Sequence, residues 1–137
     1  MGCFALMRLL LDTHIWLWSR TEPKRLSRRV SNALSKSTNE QWLSPVSIWE
    51  VLALCRKGRL VLDPDPIQWI HTVLSVVPMR DAPMTQDVAL ATRGISLGHN
   101  DPMDFLLAAT AKVYDLTLVT ADQLLIEGNG FAVLANR

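Results

Sequence analysis

The sequence predicts an α/β fold built on a parallel sheet with helices on both faces. Short apolar or β-branched segments alternate with helical ones along the whole chain, the order that produces parallel sheets covered on two sides. The first strand candidate, residues 8–11, is almost wholly apolar, as a strand buried on both faces must be. Polar punctuation stands where helices should begin or end: Ser27, Ser44 with Pro45, and Asp101 with Pro102 at starts, Gly58 and Gly94 at ends.

Residues 8–11 are expected as a buried strand closed by Asp12. Residues 13–19, with Trp16 and Trp18, follow as a short helix or loop. Ser27 can cap a helix over 27–36, whose apolar side is Val30, Ala33 and Leu34. A short strand is expected at 41–43. The next helix has clear ends: Ser44 as N-cap, Pro45 at the first helical position and Gly58 just past the last turn. Arg56 and Lys57 fall in that last turn, where cations are favoured. A turn at 63–66 leads to a helix over 67–74 and a short strand at 76–79. A helix over 84–93 closes near Gly94, and 95–100 is a loop. The helix opened by Asp101 and Pro102 runs to about Asp115. It is apolar or small at nearly every position, so it should be buried on most sides. A strand at 117–120, a short helix at 123–126 and a last strand at 131–134 complete the chain.

The 137 residues suit one domain, and 49% apolar content suffices for a core without disulfides. Cys3 and Cys55 form no CxxC or Cys/His pattern, which argues against a zinc ribbon or disulfide scaffold and fits a reducing compartment. No apolar run can span a bilayer, because Arg56, Gln68, His71 and Pro78 interrupt the candidates. Arg8 and Asp12 spoil the N-terminal segment as a signal peptide, so a cytoplasmic protein is expected. Met7 is a candidate start, with residues 1–6 an N-terminal extension and 7–137 the domain. The net charge of +1 gives no argument for nucleic acid. Two basic clusters do suggest it, Lys24, Arg25, Arg28, Arg29 and Lys36, and Arg56, Lys57 and Arg59. Each cluster taken alone reads equally as a solvated helix face.

In open parallel sheets, ligands bind outside the carboxyl ends of the strands, so acids that follow strands matter most. Asp12 ends the first strand, where it is either a helix cap or a site residue at the mouth of the core. Glu50 is the oddest acid. It lies mid-helix with Val46, Ala53 and Leu54 as helical neighbours, so it faces an apolar stripe. A carboxylate there needs a partner or a cation unless it reaches solvent. Asp101 is foremost an N-cap, while Asp104 is either a first-turn acid or a ligand. Asp122, just after the strand at 117–120, has the same two readings. Thr13 and Thr120 are adjacent hydroxyls, caps in the simpler view. Gathered in one cleft these acids would repel one another, and oxygen-only ligands suit Mg²⁺ or Mn²⁺ in phosphodiester hydrolysis. Walker A, GxGxxG, GxSxG and HExxH patterns are all absent. His14 could approach the cleft, although a packed or surface histidine is the simpler reading.

Four blocks, LLLDTHIWLW at 9–18, SPVSIWEVLALCRKGRL at 44–60, GHNDPMDFLLAATA at 98–111 and LTLVTADQLL at 116–125, resemble the PIN domain, in particular VapC-like toxins of type II toxin–antitoxin systems. The resemblance implies a three-layer α/β/α fold with a parallel sheet of about five strands. It implies an endoribonuclease using Mg²⁺ or Mn²⁺, a homodimer, and inhibition by a VapB-like antitoxin. Asp12, Glu50, Asp104 and Asp122 match the four metal-binding acids, Asp101 a further acid, and Thr13 and Thr120 the hydroxyl positions beside them. Arg25, Arg28, Arg29, Arg56 and Lys57 are the candidate RNA contacts. One departure is Phe105, where many relatives carry Arg, which puts substrate choice or affinity in question. Two other readings stay open: a PIN fold that binds RNA or protein without cutting, and a nuclease directed at DNA. Trp16 and Trp18 are candidates for a groove holding an antitoxin helix, with ordinary packing as the simpler reading. Trp42, Trp49 and Trp69 are expected in the core or at a dimer interface.

Overall fold

Leu9, Leu10 and Leu11 have no exposed surface, and the strand they form is the middle of the sheet. The structure, a computed structural model, describes residues 6–137. The expectations for Cys3 and for most of the N-terminal extension therefore lie outside the described residues. In chain order the elements are β1 (Arg8–Leu11), α1 (Thr13–Thr21), a 3-10 turn (Pro23–Arg25), α2 (Arg28–Ser35), β2 (Glu40–Leu43), α3 (Pro45–Arg56), α4 (Pro66–Val76), β3 (Arg80–Asp81), α5 (Gln86–Ala91), a second 3-10 turn (Thr92–Gly94), α6 (Pro102–Val113), β4 (Thr117–Thr120), α7 (Gln123–Ile126) and β5 (Ala132–Ala135). The five strands lie in the order β3-β2-β1-β4-β5, and every pairing is parallel.

The alternation of side chains along a strand sorts the core into two layers. Leu9 and Leu11 on β1, with Val119 on β4, pack with Ile15, Trp16, Val30, Val51 and Ile70 on one face. Leu10 and Leu118 point the other way and pack with Ala111, Leu116 and Leu125. Helices thus cover both faces, giving the expected α/β/α sandwich. Burying one such leucine contributes about 1.5–3 kcal/mol, which is why the three buried positions before Asp12 are all leucine, while Arg8 stands at the half-buried start of the strand.

The caps act as the sequence indicates. Ser27 Oγ accepts from the Val30 amide at 3.2 Å, and Ser44 Oγ accepts from the Val46 amide at 3.1 Å. Helix α3 ends on Gly58, whose φ of +73° is open to glycine at little cost. Its amide donates to the Cys55 carbonyl and the Arg59 amide to the Leu54 carbonyl, the paired bonds of a Schellman closure.

Several boundaries differ from expectation. Residues 76–79 are not a strand: Val76 closes α4, and the Val77 amide still donates to the Val73 carbonyl. The two valines read as strand by composition, but the apolar stripe of α4 carries the helix through them. The strand comes later, at Arg80 and Asp81, which pair with Trp42 and Leu43. Helix α1 continues to Thr21, and the helix expected from residue 84 begins at Gln86 behind a Thr85 cap. Among the described residues no helix is long and apolar enough to cross a membrane.

Candidate active site

Strands β1 and β4 are neighbours, yet β2 and β3 extend the sheet on one side and β5 on the other. The chain reverses its winding between them, so a crevice opens outside their carboxyl ends. Asp12 follows β1 and Asp122 follows β4 at that crevice. A cleft of about 490 Å³ lies there, lined by Asp12, Glu50, Asp101, Asp104 and Asp122 together with His14, Trp18 and Arg25.

Hydrogen bonds fix the acids. Asp12 Oδ1 accepts from the Thr13 amide at 2.7 Å, capping α1, and Oδ2 accepts from the Thr120 hydroxyl at 2.7 Å. The same hydroxyl accepts from the Asp122 amide at 3.0 Å, so Thr120 ties the two strand ends together. The buried Thr13 hydroxyl donates to Glu50 Oε1 at 2.6 Å, joining the start of α1 to the middle of α3. Asp101 caps α6 by accepting from the Met103 amide at 3.0 Å, and Asp122 caps α7 by accepting from the Leu124 amide at 2.9 Å. The capping and cleft-lining readings of these acids are therefore compatible: a helix start aims its own carboxylate at the crevice.

The fields of these acids overlap. Burial pushes the Asp104 carboxyl up to about 6, and the negative charges of Asp101, Asp122 and Asp12 add to it. Burial also raises Asp12, opposed by its bonds from Thr120 and Thr13, with Glu50 as a further raising charge. A group raised in the folded state binds its proton more tightly there than in the unfolded chain. Its contribution to stability is complete below the ordinary 3.8 and is lost as pH climbs through about 6. The metal-free protein should accordingly melt several degrees lower at pH 7.5 than at pH 5, about 3–8 °C for a chain of this size. Calorimetry in EDTA at the two pH values measures this, and equal melting temperatures would show that the Asp104 carboxyl is not raised in the folded protein.

One neighbour of Asp104 is not evident from the sequence. His99 Nδ1 accepts the Asp101 amide at 2.9 Å, so its other nitrogen bears the hydrogen and faces Asp104 Oδ2 at 3.0 Å. The loop before α6 thereby orients the carboxylate. The available signal was only that a histidine stands just ahead of two acids.

The sequence of the PIN domain family matches residues 9–127, the stretch that supplies every one of these acids. The chain belongs to the PIN domain family. It is 31% identical over 118 residues to Ribonuclease VapC22 of Mycobacterium tuberculosis, covering 85% of this chain and 88% of that protein. Its fold is similar to FitAcB from Neisseria gonorrhoeae, at TM-score 0.66 and 26% identity, covering 93% of this chain and 97% of that one. It is also similar to VapBC2 from Rickettsia felis bound to a promoter DNA fragment, at TM-score 0.71 and 15% identity, covering 94% and 98%.

Within this PIN fold the expected residues divide. Asp12, Glu50, Asp101, Asp104 and Asp122 share the cleft, and Thr13 and Thr120 sit directly behind it. Of the basic candidates, Arg25 lines the cleft, whereas Arg28, Arg29, Arg56 and Lys57 are exposed outside its lining. Trp16 is buried against Trp69 and offers no groove, while Trp18 is half-exposed on the cleft wall. Trp42 is half-buried against Tyr114, and Trp49 is 54% exposed. Phe105 points away from the acids, into an apolar cluster with Val88 and Ile95. Its place therefore gives no reason for altered chemistry in the cleft. Among the described residues no three His, Cys, Asp or Glu groups are closed into a ready ligand cluster. The donor set nevertheless fits a hard divalent cation: several carboxylates, all oxygen, whose mutual repulsion such an ion would relieve.

Proposed function

We propose that this chain is the toxin of a type II toxin–antitoxin pair, an endoribonuclease that hydrolyses RNA with Mg²⁺ or Mn²⁺. The carrying observation is the convergence of Asp12, Glu50, Asp104 and Asp122 on one cleft at the switch point of the sheet. The 31% identity to Ribonuclease VapC22 supports the choice of RNA over DNA. Likeness to VapBC2 supports a VapB-like antitoxin as partner. Action as a homodimer in the cytoplasm completes the reading.

Asp12, Asp104 and Asp122 would hold the ion, with Asp101 beside them. When bound, it would supply charge neutralisation at the scissile phosphate and an activated water. Glu50 has one oxygen held by Thr13, which leaves Oε2 to orient the attacking water and take its proton. Attack in line with the 3′-oxygen forms a new P–O bond as the P–O3′ bond breaks, and the departing 3′-oxygen takes a proton from solvent, leaving a 5′-phosphate and a 3′-hydroxyl. Thr120 keeps Asp12 and Asp122 in register, and His99 fixes the Asp104 rotamer. Arg25 would meet the RNA backbone, with Arg28, Arg29, Arg56 and Lys57 as outer contacts, so affinity should fall with salt.

The test is cleavage of labelled tRNA and rRNA pools by antitoxin-free protein with Mn²⁺, Mg²⁺ or EDTA. Discrete fragments that require the metal are expected. Folded protein that cuts neither pool under any condition would turn the reading to a binding module, and cutting of single-stranded DNA in preference would move it to DNA.

A further inference from the structure

The wall of the cleft facing the acids carries chemistry that hydrolysis alone does not use. The Arg25 guanidinium lies over the Trp18 ring at 4.1 Å from its centroid, the separation of a stacked pair. His14 meets the same indole with ring centroids 5.8 Å apart. All three side chains line the cleft. Trp18 rests on the core through its inner side, so the layer above it is Arg25, whose side chain is 55% exposed.

Two features mark this stack as held in place. Arg25 ends a 3-10 turn that is pinned to the far end of the chain. Asn136 Nδ2 donates to the Arg25 carbonyl at 3.1 Å, and Asn136 Oδ1 accepts from the Ser27 amide at 2.6 Å. The Asn136 amide in turn donates to the Thr120 carbonyl at 2.8 Å, next to the acids. Second, the cation is not spent on the cleft. Among the described residues its ion pair is with Glu22, at 3.7 Å and exposed, and none of the cleft acids pairs with it. A guanidinium that lines the same cleft as five carboxylates and pairs with none of them is free to meet a different anion.

We propose that Trp18, Arg25 and His14 form a nucleotide subsite in which an unpaired base stacks on the Trp18–Arg25 layer while the adjoining phosphate is bound by the guanidinium edge. The inference rests on the ribonuclease reading and deepens it. It adds to that reading the place where one unpaired base and its phosphate would be held. Guanidinium planes and aromatic rings are the usual platforms for unstacked bases, and such stacking tolerates any sequence. Asn136 is a positioning residue in this scheme, because it sets where the layer stands relative to Asp12 and Asp122.

The test uses a labelled single-stranded RNA, the same strand annealed to its complement, and the same strand with abasic positions. Binding is read by anisotropy with Ca²⁺ in place of the cleavage metal, and cleavage by KM and kcat with Mn²⁺. Trp18→Ala should weaken binding of the single strand and raise KM by about 5- to 100-fold with kcat nearly unchanged. Trp18→Phe should recover most of that loss. The abasic strand and the duplex should bind wild type and Trp18→Ala alike. Arg25→Ala should also weaken binding and lower the salt slope by about 1. The subsite is overturned if Trp18→Ala matches wild type on the intact strand, if Phe does not rescue, or if the duplex loses as much. It is equally overturned if the variant loses only inhibition by a protein partner, which would make the wall a docking surface. In each of those cases wild-type cleavage still stands, whereas wild type that neither binds nor cuts RNA overturns both readings.

Discussion

Asp12→Asn should keep the fold and lower RNA cleavage by about a thousandfold. The fold survives because asparagine preserves the local geometry. Its carbonyl oxygen can still accept from the Thr13 amide and cap α1. Its amide nitrogen then meets the Thr120 hydroxyl, which changes from donor to acceptor and has a lone pair to spare beside the Asp122 amide. What is lost is the negative charge at the centre of the cleft, the group whose field reaches Asp104 and feels Glu50. Single-turnover cleavage measured beside a thermal melt separates the two effects. A folded variant cutting at the wild-type rate would place the reaction outside this cleft.

The layers of the fold and two of the four acids were legible in the sequence because they rest on local rules. Asp12 shows itself by ending a run of leucines, and Glu50 by sitting on an apolar stripe, whereas Asp104 and Asp122 read equally as helix-start acids and were singled out by the family resemblance. The polar network behind them was not legible. The Thr13–Glu50 bond spans 37 residues, the Thr120–Asp12 bond 108 and the Asn136–Arg25 bond 111, and no periodicity encodes such pairings. Arg25 could be named as basic, but only the tether from Asn136 shows why it, and not Arg28 or Arg56, reaches the cleft. The short strand β3 was misplaced for a related reason. With two residues it has no pattern of its own, and its position is set by pairing with β2. Phe105 is a third case. A comparison of motifs flags it as a lost arginine, whereas the turn of α6 carries it away from Asp104 into an apolar cluster.

Asp104→Asn should have opposite effects on activity and stability. Cleavage should fall by about a hundredfold or more, because a charge proposed to help hold the cation is gone. The metal-free protein, however, should melt about 3–8 °C higher than wild type at pH 7.5. At that pH Asp104 is ionised in a half-buried position beside three other acids, which is why its carboxyl is pushed up to about 6. Asparagine removes that repulsion and can still accept from His99 Nε2, so the loop before α6 keeps its anchor. The gain should narrow at pH 5, where the wild-type carboxyl is mostly protonated in the folded state. Saturating Mg²⁺ should stabilise wild type more than the variant, since only wild type has the full set of repelling charges to neutralise. A variant that melts below wild type at pH 7.5 in EDTA would mean that Asp104 supports the fold. The strain in the cleft would then have to be sought at Asp12, the other acid that burial raises.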